Sequence, residues 1–425
     1  MEKIKIKITK LGAIKDSEVE ITPVMIFSGE SGLGKSYLAM LCHYVFDVLL
    51  DSTRIDRFVK EKGLIFSEMR KSFRGSGIAT KINKSELERW LSKDALRYLC
   101  YMLNNNNLQG DISIELPNII DDLIEFKYEE EITGIENNEE VYVKLSALGL
   151  VYRIKDESMD DESSFAFLLR YGLMNLIFGD FKALKETYVF PPSRGPVLTE
   201  EINPRTGMYE KFKNDLLKIS RIQPHPEEAD KDLIKLFKNV LEGTVYRSSD
   251  SYQYSFNGKE IPISAAAASI RELAPLYMLV ERTDISKVVM IIEEPEAHLH
   301  PLKQRTMADI TSVMCTGGAF MQITSHSDYY LRRINELISL KRLHKKCSKD
   351  DFEKICLDVN IDKRLEFDYE RLSAYLLIKQ ENGESKVVRQ TLKDGIPFSS
   401  FSKAIEDSLE SRYKLNSYAE KYGCI

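Results

Sequence analysis

The stretch VMIFSGESGLGKSYLAM, Val24 to Met40, decides the fold. Val24 to Phe27 reads as a short buried strand. Gly29-Glu30-Ser31-Gly32-Leu33-Gly34-Lys35-Ser36 follows, and a helical pattern runs from Tyr37 to about Leu50. The middle segment matches GxxxxGK[ST] in the strand–loop–helix setting that the motif requires. A glycine-rich turn with a chance lysine would not need that setting. Glycines 29, 32 and 34 allow a tight loop whose N–H groups point inward, and the helix behind it adds its positive N-terminal end. The ligand this predicts is ATP with Mg2+. Gly29, Ser31, Gly32, Gly34, Lys35 and Ser36 are expected to bind it, with Lys35 reaching the β and γ phosphates and the Ser36 hydroxyl on the metal. Upstream, Lys3 to Thr9 and Ser17 to Ile21 read as two strands of a small antiparallel sheet joined by a turn near Gly12.

A second stretch, ISKVVMIIEEPEAHLHP (Ile285 to Pro301), delivers acids from the end of an apolar strand, Lys287 to Ile292. A phosphate-loop ATPase needs a carboxylate at a strand end to hold Mg2+, and that strand is expected beside the loop strand. Glu293 fills this position. Glu294, one residue on, is the candidate general base for the attacking water. Pro295 suits a turn, and Pro301 suits the start of the next helix. Glu296, His298 and His300 invite a metal reading. The spacing is not HExxH and no third ligand is evident, so a loop shaped for a subunit interface is the expectation. Ala319 to Thr324 forms a further strand, and His326 just after it stands where such folds sense the γ phosphate. His43, His225 and His344 read as structural or solvent-facing.

Together these segments resemble the ABC-type ATPase domains of the SMC, RecF and OLD (overcoming lysogenization defect) group. GESGLGKS matches their Walker A motif, VVMIIEEPEAHLHP their Walker B and D-loop region, and ITSHS their switch histidine, His326. The usual first Walker B acid is Asp, and this chain has Glu293. The family's signature motif is expected in GKEIPISAAAASIRELAPLYMLV, where Ser264, Ala265, Ala268, Ser269 and Arg271 match the region. It departs from LSGGQ in having no glycine. Ser264 or Ser269 is expected to cap a helix and touch a phosphate. YVFPPSRGPV resembles another family element and makes Arg194 a candidate phosphate or interface contact, the alternative being a turn arginine that pairs with an acid.

The resemblance implies an α/β P-loop NTPase of the ABC/SMC head type, with an N-terminal antiparallel sheet and a mixed, largely helical insertion. Residues 1–55 would form the first ATPase part, 56–255 an insertion arm with linking elements, and 256–425 the second part. It also implies a homodimer, or a higher oligomer, in which Ser264 and Ser269 of one subunit complete the ATP site of another.

The remaining sequence constrains the partners. A net charge of −6 argues against wholesale polyanion binding, although EMRKSFRGSGIATK is a local basic cluster. Nine acids in residues 121–140 read as a solvated edge. No apolar run is long enough for a membrane span, and scattered cysteines without CxxC fit reduced thiols in a cytoplasm. Leu372 to Lys379 and Lys386 to Leu392 read as strands and Ser399 to about Tyr413 as a helix, which resemble the closing elements of the ATPase. No TOPRIM carboxylate set is evident; Asp350 and Asp351 read as a surface charge run. The leading expectation is therefore an ATPase subunit resembling the stand-alone OLD-like ATPases of PARIS- and Septu-type anti-phage systems. Such a subunit scaffolds, restrains or activates a separate effector, a nuclease or toxin, with a phage protein or DNA as trigger. The alternatives are a RecF-like DNA-repair ATPase and a slow-turnover ATP-gated scaffold.

Overall fold

The computed structural model describes residues 3–133, 140–155, 163–179, 184–200, 203–224, 230–248, 251–393, 395–397 and 399–422. His225 and residues 134–139 of the acidic segment lie outside them. The chain opens with strands β1 (Lys5–Leu11), β2 (Ile14–Glu20) and β3 (Val24–Ser28), then helix α1 (Lys35–Leu50). The following segment holds α2 (Ser52–Glu61), α3 (Phe66–Met69), β4 (Ser76–Asn83), α4 (Lys84–Leu103), β5 (Gly110–Glu115), β6 (Leu123–Thr133), β7 (Glu140–Ala147), β8 (Leu150–Ile154) and α5 (Ser164–Phe178). Next come β9 (Glu186–Phe190), α6 (Gly195–Thr199), α7 (Gly207–Arg221), α8 (Lys231–Leu241), β10 (Thr244–Ser248), β11 (Ser251–Phe256), β12 (Lys259–Pro262) and α9 (Ala268–Arg282). The last part runs β13 (Val288–Glu293), α10 (Pro301–Thr316), β14 (Phe320–Thr324), α11 (Asp328–His344), α12 (Lys349–Asp358), β15 (Leu372–Lys379), β16 (Ser385–Arg389) and α13 (Ser399–Lys421).

One nine-stranded sheet, in the order β5-β1-β2-β16-β15-β3-β14-β13-β9, organises the molecule. Its central run β15-β3-β14-β13-β9 is parallel, and antiparallel β1-β2 and β1-β5 pairs form the far wing. This is a P-loop α/β fold with an N-terminal antiparallel sheet. The central strands are buried on both faces, as parallel strands covered by helices must be. Along β13, Val289 and Ile291 enter one core while Val288, Met290 and Ile292 enter the other. Met25 and Phe27 of β3 divide from Val24 and Ile26 in the same way.

Three expectations change. The strand carrying Glu293 is not beside the loop strand: β14, the strand ending before His326, lies between them. Helix α1 spans this gap, with His43 of α1 bonded to Gln322 of β14 (Nδ1···Oε1, 2.9 Å). Residues 56–255 are not wholly an appendage, because β5 and β9 are strands of the main sheet. The four-stranded sheet β4-β6-β7-β8 also shares its apolar core with α1, through Phe126, Val143 and Leu145. The described acids of residues 121–140 lie at the surface, as expected, but their strand is not a sheet edge. β6 is flanked by β4 and β7, and its acids meet cations: Glu125 with Lys81, Glu130 with Arg70, and Glu131 with Lys144 and Arg153. The basic cluster supplies the other side of two of these pairs, through Arg70 and Lys81. Residues 244–262 form a separate three-stranded sheet, β10-β11-β12.

The close approach of β15 to the loop makes Gly29 obligatory. Its φ is +129°, and a Cβ there would meet the Leu377 carbonyl oxygen at 2.5 Å. At Gly32, φ is +81° but the space is open. Gly29→Ala is expected to lower the stability of the nucleotide-free chain by about 1–3 kcal/mol, against about 1 kcal/mol for Gly32→Ala. Urea denaturation of the two variants checks this, and equal losses would contradict the assigned contact.

Candidate functional site

The register across three strands sets the site. Phe27 of β3 pairs with Thr324 of β14, and Thr324 pairs with Glu293 of β13, so the three strand ends stand in one row. The glycine loop leaves β3 at this row and turns into α1, whose N-cap is Gly34 at φ +97°. Ser31 and Gly32 are exposed at the loop tip. Lys35 is buried, and its Nζ donates to the carbonyls of Gly29 (2.9 Å) and Glu30 (2.8 Å). Burial draws its pKa down, while Glu294, Glu296 and Glu293 work against that shift.

Ser36, in the first turn of α1, donates its hydroxyl hydrogen to Oε2 of Glu293. These residues are 257 positions apart, and the contact joins the two motifs singled out in the sequence. Glu293 is 4% exposed, and its Oε1 has no hydrogen-bond partner among the described residues. Burial, reinforced by neighbouring Glu294, pushes its pKa up to about 7, against the Ser36 hydrogen bond. A buried carboxylate oxygen without a partner is costly. A hydroxyl and a carboxylate facing one another are hard oxygen donors of the type that suits Mg2+. The residues therefore fit the metal that the motif implies.

Glu294 leaves the strand with a left-handed backbone, φ +47°, and its N–H is held by Thr324 through the carbonyl (3.1 Å) and the hydroxyl (3.3 Å). That turn brings its half-exposed carboxylate within 3.5 Å of His326 Nδ1. The two polar groups assigned to water activation and phosphate sensing thus stand together. Glu296 has a role that sequence reasoning missed. It is buried, and its Oε1 accepts from Ser325 Oγ (2.8 Å) and from the N–H groups of His326 and Ser327 (3.2 Å each). Burial raises its pKa, and these hydrogen bonds oppose the rise. It shapes the loop carrying His326. The available signal was an acid two residues after Glu294 that the metal reading had absorbed. His298 and His300 are exposed; His300 accepts from Leu302 N–H (3.4 Å) and caps α10.

Arg194 requires correction. It is 2% exposed and cannot reach out to a phosphate. Its Nε donates to the Glu272 carbonyl (2.9 Å) and its Nη1 to the carbonyls of Pro191 (3.3 Å) and Glu293 (3.0 Å). The Glu272 carboxylate accepts from the N–H groups of Arg194 (2.6 Å) and Gly195 (3.0 Å). This buried pair ties the first turns of α9 to the end of β13. An acid preceding the apolar run LAPLYMLV was the signal for Glu272. Ser264 and Ser269 also differ from expectation. Ala267 is the N-cap of α9, without a side-chain cap, Ser264 is exposed in a single 3-10 turn, and Ser269 is half-buried in the first turn of α9. Arg271, beside it, packs over Gly195.

A family profile described as "AAA ATPase domain" matches residues 195–331, a span holding α9, Glu293, Glu294, Glu296 and His326. The matched residues make up less than half of the chain. No curated protein matches the sequence. Among solved structures, the SMC head bound to the C-winged helix domain of ScpA is 11% identical, covering 92% of this chain and 98% of that one, with a TM-score of 0.36. The SMC head domain from Thermotoga maritima is 10% identical, covering 92% and 99%, with a TM-score of 0.32. An SMC head domain with an extended coiled coil, bound to the C-terminal domain of ScpA derived from Pyrococcus furiosus, is 11% identical over 97% and 100%, with a TM-score of 0.35. Among the described residues no helix is long and apolar enough to cross a membrane.

Glu293 has a raised folded pKa, so it favours folding fully below its unfolded value of 4.5, and that contribution is lost as pH rises towards about 7. The nucleotide- and metal-free chain is expected to lose up to about 3 kcal/mol over this interval from Glu293. Glu293→Gln should flatten that part of the profile, as read by urea denaturation at a series of pH values. A parallel profile in the variant would contradict the burial argument.

Proposed function

We propose that this chain is an ATP-binding and ATP-hydrolysing subunit whose nucleotide site is completed by a second copy. The observation that carries the reading is the Ser36–Glu293 contact, with Glu294 and His326 beside it. Gly29, Ser31, Gly32 and Gly34 wrap the phosphates with backbone N–H groups, and the α1 N-terminus faces them. Lys35 exchanges its loop carbonyls for phosphate oxygens. Ser36 and Glu293 would hold Mg2+, which would supply positive charge against the phosphates. Glu294 orients the attacking water and takes up its proton, and His326 hydrogen-bonds at the γ phosphate.

The second copy contributes the α9 N-terminal region, where Ser264 and Ser269 lie. The Arg194–Glu272 pair gives that region a mechanical link to the residue behind the metal carboxylate. ATP binding then closes the dimer and hydrolysis reopens it, so nucleotide state becomes a change of assembly. The motif resemblance to stand-alone OLD-like ATPases supports the further step. In that step the oligomer restrains or activates a separate effector, a nuclease or toxin, in anti-phage defence inside the cytoplasm.

Steady-state ATP hydrolysis across protein concentration tests this, with Glu294→Gln as the paired variant. The rate per subunit should rise with concentration. The variant should lose about 100-fold or more in kcat while still binding ATP. An unchanged kcat would remove Glu294 as base, and a concentration-independent rate from a chain that remains monomeric would remove the composite site.

A further inference from the structure

The phosphate loop is held from behind by the hairpin of β15 and β16. A tight turn joins these strands. Gly383, at φ +83°, donates its N–H to the Gln380 carbonyl (3.0 Å), and Gln380 donates its own to the Glu384 carbonyl (2.7 Å). Two latches fix this turn beside the start of β2. The Glu384 carboxylate pairs with Lys15 at 2.8 Å, and the Ser385 N–H donates to the Ala13 carbonyl at 2.8 Å.

Ser385 is fully buried, and its Oγ donates to the Leu33 carbonyl at 2.7 Å, across 352 positions of sequence. Leu33 belongs to the glycine loop, and its side chain is buried as well. A peptide unit is planar and trans, so the Leu33 carbonyl and the Gly34 N–H point in opposite directions. With the carbonyl drawn to β16, the N–H faces away from it. Among the described residues nothing accepts from that N–H.

The loop sequence alone leaves this orientation open. Gly34 has φ +97° and no Cβ, and glycine takes positive and negative φ with similar ease. A group outside the loop must choose, and Ser385 is placed to do so. Ile14, its pairing partner between β2 and β16, closes the same side: a Cβ at Gly34 would meet Ile14 Cγ1 at 3.0 Å.

We propose that Ser385 is a positioning residue for phosphate binding. Its hydroxyl holds the Leu33–Gly34 peptide with the N–H facing the interior of the loop before a nucleotide arrives. The proposal rests on the reading of this loop as an ATP site. Ser385 touches no phosphate and acts through the Gly34 N–H. A peptide free to turn over is competent for only part of the time, and the apparent affinity falls by that fraction. Ground state and transition state lose equally, so the effect falls on KM and not on kcat.

Calorimetric titration of the full chain with ATP and Mg2+, paired with steady-state hydrolysis, tests this. Ser385→Ala is expected to raise Kd and KM by about five- to tenfold, with kcat held within about twofold. Ser17→Ala controls for loosening of the sheet, because the Ser17 hydroxyl accepts from the Val387 N–H at 2.9 Å and so joins β2 to β16 without meeting Leu33. It should lower stability to urea and leave Kd unchanged. Ser385→Cys keeps nearly the same size with a weaker donor. It should fall between wild type and Ser385→Ala, and it carries the test if the alanine variant does not fold. A wild-type chain that binds no ATP overturns the ATP reading, and this proposal with it. With wild-type binding intact, unchanged affinity in both Ser385 variants, an equal loss in Ser17→Ala, or a fall in kcat at constant KM overturns the role of Ser385 alone.

Discussion

The site depends on a carboxylate placed where water cannot compensate it. Glu293 ends β13 almost wholly buried, with one oxygen on the Ser36 hydroxyl and the other without a partner among the described residues. Burying a charge this way is unfavourable unless a cation or proton answers it. The raised pKa expresses that imbalance in the ligand-free chain. Keeping the carboxylate there requires three strand ends in one row and a helix across them. The Phe27–Thr324–Glu293 row, with α1 above it, supplies both.

Around that centre the chain uses two further buried acids for geometry rather than chemistry. Glu296 gathers the N–H groups of the His326 loop, so the loop's position follows the turn after Glu294. Glu272 gathers the N–H groups of Arg194 and Gly195, and Arg194 returns hydrogen bonds to Glu272 and Glu293 carbonyls. Each acid satisfies two backbone donors at once, which offsets part of its desolvation. The first links the turn after Glu294 to the His326 loop; the second links the strand end to α9.

The phosphate loop was legible because its chemistry admits few residue types: glycines where φ is positive, then lysine and a hydroxyl at the helix start. The strand ending at Glu293 was legible because an unbroken apolar run that closes on adjacent acids suits a buried strand opening onto a polar site. Strand order was not, since apolar runs carry no record of which neighbour they pair with, and β14 entered between β3 and β13 unannounced. β9 was hidden in a segment read only for its prolines and Arg194. Arg194 itself shows the limit most plainly. An arginine beside a turn looks the same in sequence whether it faces a phosphate or is enclosed by carbonyls, and the burial that decides between them is set by α9.

The central claim, that Ser36 and Glu293 form one metal-dependent nucleotide site, is tested most directly by calorimetric titration of ATP with Mg2+ and again with chelator. Mg2+ is expected to strengthen ATP binding by about tenfold or more. Ser36→Ala and Glu293→Gln should each abolish this gain while leaving metal-free binding to the loop in place. A full Mg2+ gain in either variant would contradict the claim.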